Sequence, residues 1–367
     1  MSKKQYRIAA IGFAHSHIES NIADFASCGD RVAMVAAADV APKIAPESQE
    51  PGTRYAALQK AVKLYGFKEY CDYRKLLDEN EIDIALVCAE NAFHPEVSEV
   101  LLRKGIHVVV EKPMSADMPG ALRMARAARE TGARIVTNWP SAWSPATRKA
   151  KELVEQGTIG RLFKFTYRNS DSQGPLSYGQ KITDREKGLE WWHQADTGGG
   201  ALLDYCCYGA AMSCWFLNQA PIAAYGLKAN FDSPYGDADD YATITVRFPQ
   251  AVAILEGSWT TVNSGVDNGP VLFGTEGTLV VQNTGKLALF KTRHKIEPDE
   301  VFDCGSLPPG RKNLGLETLH HLDTGEPLFP LLDLPLNLEA MSILDTGSRS
   351  AVSKKMELID DGTWCIG

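Results

Sequence analysis

Between residues 6 and 137 the chain alternates short, almost wholly apolar runs with longer stretches whose apolar positions recur every three to four residues. The short runs read as strands buried on both faces, and the longer ones as amphipathic helices. Strands are expected at 6–13, 31–38, 68–71, 82–88, 108–110 and 134–137, and helices at 15–27, 55–65, 73–79, 95–104 and from Ser115 to Thr131. End signals agree: Gly66, Gly105 and Gly132 follow helices, Asp72 precedes one, and Ser115 stands where a cap is needed. Strand–helix alternation of this kind implies a doubly wound parallel sheet.

The pattern changes after Pro140. Residues 145–156 read as a helix and 162–167 as a strand, and Gly198-Gly199-Gly200 opens an apolar helix reaching Leu217. Period-two runs then follow at 242–248, 252–260, 270–273, 278–281 and 286–290, separated by Gly, Pro and Asn. Such spacing predicts an antiparallel sheet. A loop at 323–335 leads into a last helix at 336–352, expected to pack back on the first unit. The chain is therefore read as α/β plus α+β, with residues 1–138 as a dinucleotide-type domain and 139–367 as a substrate and assembly domain.

Composition narrows the class. The 367 residues are 44% hydrophobic and 23% charged, with net charge −8. No basic patch suggests nucleic acid or an anionic membrane surface, and no apolar run is long enough to span a bilayer. The first residues carry no signal-peptide pattern. The eight cysteines lack C-x-x-C spacing and lie mostly in apolar segments, as small hydrophobes in a reducing compartment do. A soluble cytoplasmic protein is expected.

The chemistry concentrates at strand ends. Glu111-Lys112-Pro113 stops an apolar run abruptly. In an open parallel sheet that is where ligands bind, so Lys112 is a cation aimed into a cleft. The first turn reads Gly12-Phe13-Ala14-His15-Ser16-His17. Only Gly12 survives of G-x-G-x-x-G, yet a helix N-terminus follows and suits a pyrophosphate. Asp39 ends the second strand, placed either to accept a ribose 2′-hydroxyl or to cap a turn. The first role favours NAD over NADP, and nearby Lys43 softens that preference. A metal reading of His15 and His17 requires further His and Asp at later strand ends. His94 alone lies near one, so no metal is expected.

These residues resemble the Gfo/Idh/MocA oxidoreductases. Glu111-Lys112-Pro113 looks like that family's E-K-P signature, and residues 89–94 are similar to its A-T-P-N-x-x-H turn. Residues 192–204 resemble its W-x-x-D…G-G-G-A-L-x-D segment, 274–277 its G-T-x-G hairpin and 323–327 its T-G-E-P turn. The resemblance spans nearly the whole chain in order. It implies an N-terminal Rossmann domain, a C-terminal open sheet forming a homodimer or homotetramer, and NAD(P)-dependent redox chemistry on a sugar or polyol. It also implies cofactor contacts from Gly12, Phe13, Ala14, His15, Asp39, Asn91, His94, Glu111 and Lys112. One departure matters: the family's D-x-x-x-H pair reads Asp204 to Tyr208 here, as in glucose–fructose oxidoreductase-like and dihydrodiol dehydrogenase-like members.

Asp204 and Tyr208, at i and i+4 of one helix, are expected to share a face. Tyr208 is assigned as acid/base, with the Lys112 ammonium lowering its pKa, and Asp204 as the group that orients Lys112 or takes a substrate hydroxyl. The alternative for Tyr208 is a core position with a satisfied hydroxyl. Trp143, Trp192 and His193 are candidate walls of a sugar site, or ordinary packing. Two other functions share these features: glycoside cleavage or epimerisation by transient oxidation with a retained cofactor, and a non-catalytic nucleotide-sensing regulator.

Overall fold

The structure, a computed structural model, describes residues 4–44, 53–170, 183–262 and 265–359. Cys365 lies outside the described residues. The first unit runs β1 (Tyr6–Ile11), α1 (His17–Ala26), β2 (Val32–Ala38), α2 (Arg54–Tyr65), β3 (Lys68–Tyr70), α3 (Tyr73–Glu79), β4 (Ile84–Val87), α4 (His94–Arg103), β5 (His107–Val110), α5 (Met118–Thr131) and β6 (Ile135–Thr137). Its six strands are all parallel, in the order β3-β2-β1-β4-β5-β6. The order reverses at β1, which opens a crevice at the carboxyl ends of β1 and β4.

Local chemistry accounts for the element ends. β1 stops at Ile11, two residues before the expected end, because Gly12 takes φ +85° and turns the chain. Asp117, and not Ser115, caps α5: its carboxylate accepts from Gly120 N at 2.8 Å. Pro119 sits in the first turn, where a missing N–H costs nothing.

The second unit contains α6 (Pro145–Glu155), β7 (Leu162–Asn169), α7 (Asp184–Leu189), a π-helical turn at Leu202–Cys206 and α8 (Cys207–Leu217). Strands β8 (Ala223–Ala229), β9 (Tyr241–Arg247), β10 (Val252–Ser258), β11 (Val271–Gly274), β12 (Thr278–Val281), β13 (Leu287–Phe290) and β14 (Glu300–Phe302) follow. The chain closes with α9 (Leu314–Thr324), α10 (Leu334–Ser353) and β15 (Glu357–Leu358). The nine-stranded sheet is mainly antiparallel, as expected, but mixed: β7 runs parallel to β10. Strands β8, β14 and β15 and helix α9 escape the sequence pattern. β8 (AAYGLKA) breaks its alternation with Gly226, whose missing side chain lets α10 approach: a Cβ there would lie 2.0 Å from Gly347 O.

The last helix touches both units. It packs on β8 and α8, and also on α5. Asp345 accepts from Met118 N at 3.3 Å, and Asn337 accepts from the Trp139 indole at 2.8 Å.

Candidate active site

The floor of the crevice is built from backbone. A Cβ on Gly12 would lie 2.6 Å from Ala89 N, so the turns after β1 and β4 touch only because residue 12 is glycine. Ala14 N donates to Cys88 O at 2.9 Å and completes the contact. At the end of β2, Asp39 Oδ1 accepts from Phe13 N at 2.8 Å and Val40 N at 2.9 Å. Asp39 also meets Arg54, which the sequence reading missed. Arg54 donates Nε to Asp39 Oδ2 at 2.5 Å, Nη2 to Asp39 Oδ1 at 2.9 Å and Nη1 to Glu90 Oε1 at 2.6 Å. One signal pointed to it: a cation in the first turn of a helix faces an unfavourable dipole and needs an acidic partner. Beside Asp39 a cavity of about 310 Å³ is lined by Val40, Tyr73, Arg74 and Phe93. Its volume is at the lower end of small-molecule sites. Close backbone approach, a strand-end carboxylate and an adjoining cavity fit a dinucleotide.

Several expected cofactor residues face protein partners. The His15 ring accepts from His17 N at 3.0 Å, capping α1. His17 contacts Glu111 Oε1 at 2.8 Å, and Asn21 and Asn138 donate to Glu111 Oε2 at 3.4 and 3.3 Å. Burial opposes the Glu111 charge, but His17, Lys112 and Asn138 outweigh it and hold its pKa below the usual carboxylate range. Glu111 therefore ties α1 to the ends of β5 and β6. His94 is fully enclosed, its ring nitrogens 3.1 Å from Pro113 O and from Ala89 O. It braces two cleft turns and has no exposed atom to offer a cofactor. Asn91 donates to Gly198 O at 2.8 Å, joining the β4 turn to the glycine segment. Among the described residues no group of three His, Cys, Asp or Glu is arranged to hold a metal.

Lys112, Asp204 and Tyr208 come together. Lys112 is 3% exposed; its Nζ donates to Asp204 Oδ1 at 2.8 Å and Asp204 O at 2.9 Å. Two of its three donors are committed, which leaves one. Nζ also lies 4.7 Å from the Tyr208 ring centroid. Trp259 Nε1 donates to Asp204 Oδ2 at 3.3 Å and so fixes the carboxylate from the far side. The helical segment is not the uniform α-helix expected from Gly200 onward, because its first turn is π-helical. Such widened turns recur at functional sites. Here the Asp204 carbonyl turns to Lys112 and to Cys207 Sγ, 3.1 Å away. Asp239 caps the segment, accepting from Leu202 N at 2.8 Å. Gly200 is obligatory, since a Cβ there would lie 2.6 Å from that carboxylate.

The electrostatics reverse one expectation. Burial opposes the Lys112 charge, but Asp204, with Tyr208, Cys207 and Glu111, outweighs it and holds the ammonium well above its ordinary pKa. Tyr208 was expected to be lowered by Lys112. Burial pushes it well above 10 and Lys112 only partly offsets this, so the phenol stays protonated.

The cleft wall is aromatic. Trp191 and Trp192 stack at 4.1 Å, Trp192 meets the His15 ring edge-on at 4.6 Å, and Trp191 Nε1 donates to Ala14 O at 2.9 Å. His193 lies 5.7 Å from Trp259 and 5.1 Å from Tyr235. Trp191, Trp192, Tyr205 and Trp259 form an apolar cluster separate from the main core. Trp143 is not part of this wall; it packs on the main core beside Arg148.

Burial lowers His94 and His193 to about 4 each. A folded pKa below the unfolded value near 6.5 means that stability is full above pH 6.5 and is lost as pH falls toward 4. At about pH 5 the two together cost about 4 kcal/mol. The thermal midpoint is expected to drop by several degrees between pH 7 and 5; a flat midpoint would contradict neutral burial of these rings.

Comparison with known proteins adds the following. The GFO/IDH/MocA C-terminal domain model matches residues 147–280, and the model of the NAD-binding, Rossmann-fold oxidoreductase family matches 52–139. A dTDP-3,4-didehydro-2,6-dideoxy-α-D-glucose 3-reductase of Streptomyces antibioticus is 30% identical over 71% of this chain and 79% of its own. The levoglucosan dehydrogenase of Pseudarthrobacter phenanthrenivorans is 25% identical over 60% of this chain and 61% of its own. The matched region spans only 56–62% of the length of four curated relatives, the levoglucosan enzyme among them. A solved levoglucosan dehydrogenase, in complex with NADH and levoglucosan, superposes with TM-score 0.76 at 18% identity, covering 98% of this chain and all of that one.

Proposed function

Given that the chain belongs to the GFO/IDH/MocA family of NAD-binding oxidoreductases, we propose that it transfers a hydride between nicotinamide and a carbinol or carbonyl carbon of a sugar, polyol or glycoside. Relatives that carry names of sugar and polyol reductases and dehydrogenases support the substrate class. The observation that carries the reading is the buried Lys112–Asp204 pair under the Tyr208 ring, at the carboxyl end of β5.

When bound, nicotinamide would supply or accept the hydride. Lys112 directs its remaining N–H at the reacting oxygen, where charge develops. Asp204 holds that ammonium in place, and Trp259 holds Asp204. Tyr208, kept protonated by burial, gives its hydroxyl proton to the oxygen during reduction and takes it back during oxidation. Trp191, Trp192 and His193 wall the sugar site, apolar faces against C–H groups. Asp39 favours NAD; NADP remains the second choice. Residues 1–138 form the cofactor domain and 139–367 the substrate domain.

One observation favours the retained-cofactor alternative. Residues 190–198 strap the crevice: Trp191 bonds Ala14 O, Ala92 N donates to Thr197 O, Asn91 donates to Gly198 O, and Asp196 pairs with Lys43. A sugar and polyol panel followed by nicotinamide absorbance, with NAD and NADP in parallel, tests both readings. Steady NADH release supports a dehydrogenase; a single burst without release supports the retained cofactor. No reduction with any sugar or polyol sinks both. The intact Lys112 set argues against a regulator.

The chain is read as a homodimer or homotetramer. Tyr225 and Ile254 are more than a third exposed and share one face of the second sheet, each across from Thr245. Sedimentation as a monomer would exclude this. The seven described cysteines are all free, which suits the reducing cytoplasm.

A further inference from the structure

Two imidazoles of the first turn have no part in the hydride step. His17 stands where a dinucleotide turn ordinarily has its third glycine, the residue that lets helix and strand pack closely. Here a side chain fills that place, and its ring lies 4.0 Å from that of His15. Trp192 meets His15 from the second domain, edge-on at 4.6 Å.

Hydrogen bonds fix the tautomer of each ring. His17 Nδ1 lies 2.8 Å from Glu111 Oε1, and an ionised carboxylate can only accept. His17 therefore carries a proton on Nδ1 and, as the neutral ring, offers a lone pair at Nε2. His15 is the opposite case. Its Nδ1 accepts from His17 N at 3.0 Å, and burial, aided by the charges of His17 and Lys112, keeps the ring neutral, so its proton is on Nε2. Among the described residues neither Nε2 meets a protein partner, and neither is one of the sealed polar atoms. His17 keeps 29% of its side chain exposed. The pair presents one N–H and one lone pair within reach of a single small group.

The backbone shows which part of a dinucleotide reaches them. In residues 12–19 the amides of Gly12, Phe13, Ala14, His17, Ile18 and Glu19 donate to protein acceptors. Those of His15 and Ser16 have none among the described residues, and they open α1, where a pyrophosphate binds. The two rings thus stand between the pyrophosphate position and the strand-end lysine whose charge His15 feels. In the nicotinamide half of the cofactor, a primary carboxamide carries an acceptor oxygen and a donor nitrogen on one carbon.

We propose that His15 and His17 are positioning residues for the nicotinamide carboxamide, His15 Nε2–H donating to its oxygen and His17 Nε2 accepting from its nitrogen. The inference rests on the NAD reading and deepens it. Holding the carboxamide fixes how the ring is turned, and so which face the reacting carbon meets. Glu111 acts behind His17, and Asn21 and Asn138 hold Glu111 in turn.

The test is calorimetric titration of the full chain with NAD and two analogues, with no turnover required. Acetylpyridine adenine dinucleotide has a methyl group in place of the amide nitrogen. Thionicotinamide adenine dinucleotide has sulfur, a weaker acceptor, in place of the amide oxygen. Wild type should bind each analogue about five- to tenfold more weakly than NAD, the worth of one hydrogen bond. His17→Phe should erase the preference for NAD over the acetylpyridine analogue, and His15→Phe the preference over the thionicotinamide analogue. A merely structural role for the rings would weaken all three dinucleotides together and leave the ratios unchanged, which overturns the proposal. So does a wild type that binds NAD and the acetylpyridine analogue equally. If His17→Phe does not fold because Glu111 loses its partner, the wild-type ratios and His15→Phe decide the matter. Failure of wild type to bind any of the three would instead overturn the NAD reading itself.

Discussion

Turnover of a Lys112→Met protein is expected to fall at least about a thousandfold, with NADH binding changed only a few-fold. Lys112 is the one cation of the cluster, and its ammonium is held above its ordinary pKa. Removing a preorganised donor at a developing oxyanion costs about 10²–10³ in rate by itself. Its loss also frees Asp204 and unsettles the Tyr208 ring packed against it. Methionine fills most of the same volume, so the packing survives. The stability effect is separate. Asp204, 7% exposed, is left buried opposite an apolar side chain, which costs about 3–5 kcal/mol when one partner of a buried pair is removed. Pairing Lys112→Met with Asp204→Asn should recover much of that stability and none of the rate. Steady-state rates, a fluorescence titration with NADH and a melting curve separate the effects. A Lys112→Met enzyme within tenfold of wild type would remove Lys112 from the mechanism.

Tyr208→Phe is expected to lower the rate by about 10²–10⁴, the usual worth of a positioned proton donor. Only the hydroxyl is lost: the ring keeps its contacts with Trp139 at 5.5 Å and with the Lys112 ammonium at 4.7 Å, so the melting temperature should barely move. The pH profile provides the sharper test. Burial holds the phenol protonated well above its ordinary pKa. Wild-type reduction should therefore stay level across neutral pH, and oxidation should rise toward alkaline pH as the base form becomes available. Phenylalanine should abolish the alkaline rise. An unchanged rise would assign the proton to solvent or to Lys112.

The strand–helix alternation, the cap at Asp72 and the E-K-P strand end were legible because each is set by residues a few positions apart. So was the grouping of Lys112 with Asp204 and Tyr208, through the family pattern. What escaped was non-local. Arg54 meets Glu90 across 36 positions, and Trp259 meets Asp204 across 55. The π turn that frees the Asp204 carbonyl depends on Asp239, which comes from another element. Helix α9 was missed although Asn313 caps it, because its apolar face is completed only by α1, against which Gly315 packs.

The sequence by itself determined the doubly wound unit, the mainly antiparallel second sheet and the strand-end lysine, since periodicity, turns and caps act over one or two helical turns. Only the tertiary structure decided that His94 and Glu111 brace the cleft from within, that Arg54 unites two carboxylates, and that Tyr208 holds its proton. Burial is a property of the assembled fold, and it can reverse what a neighbouring charge alone would dictate.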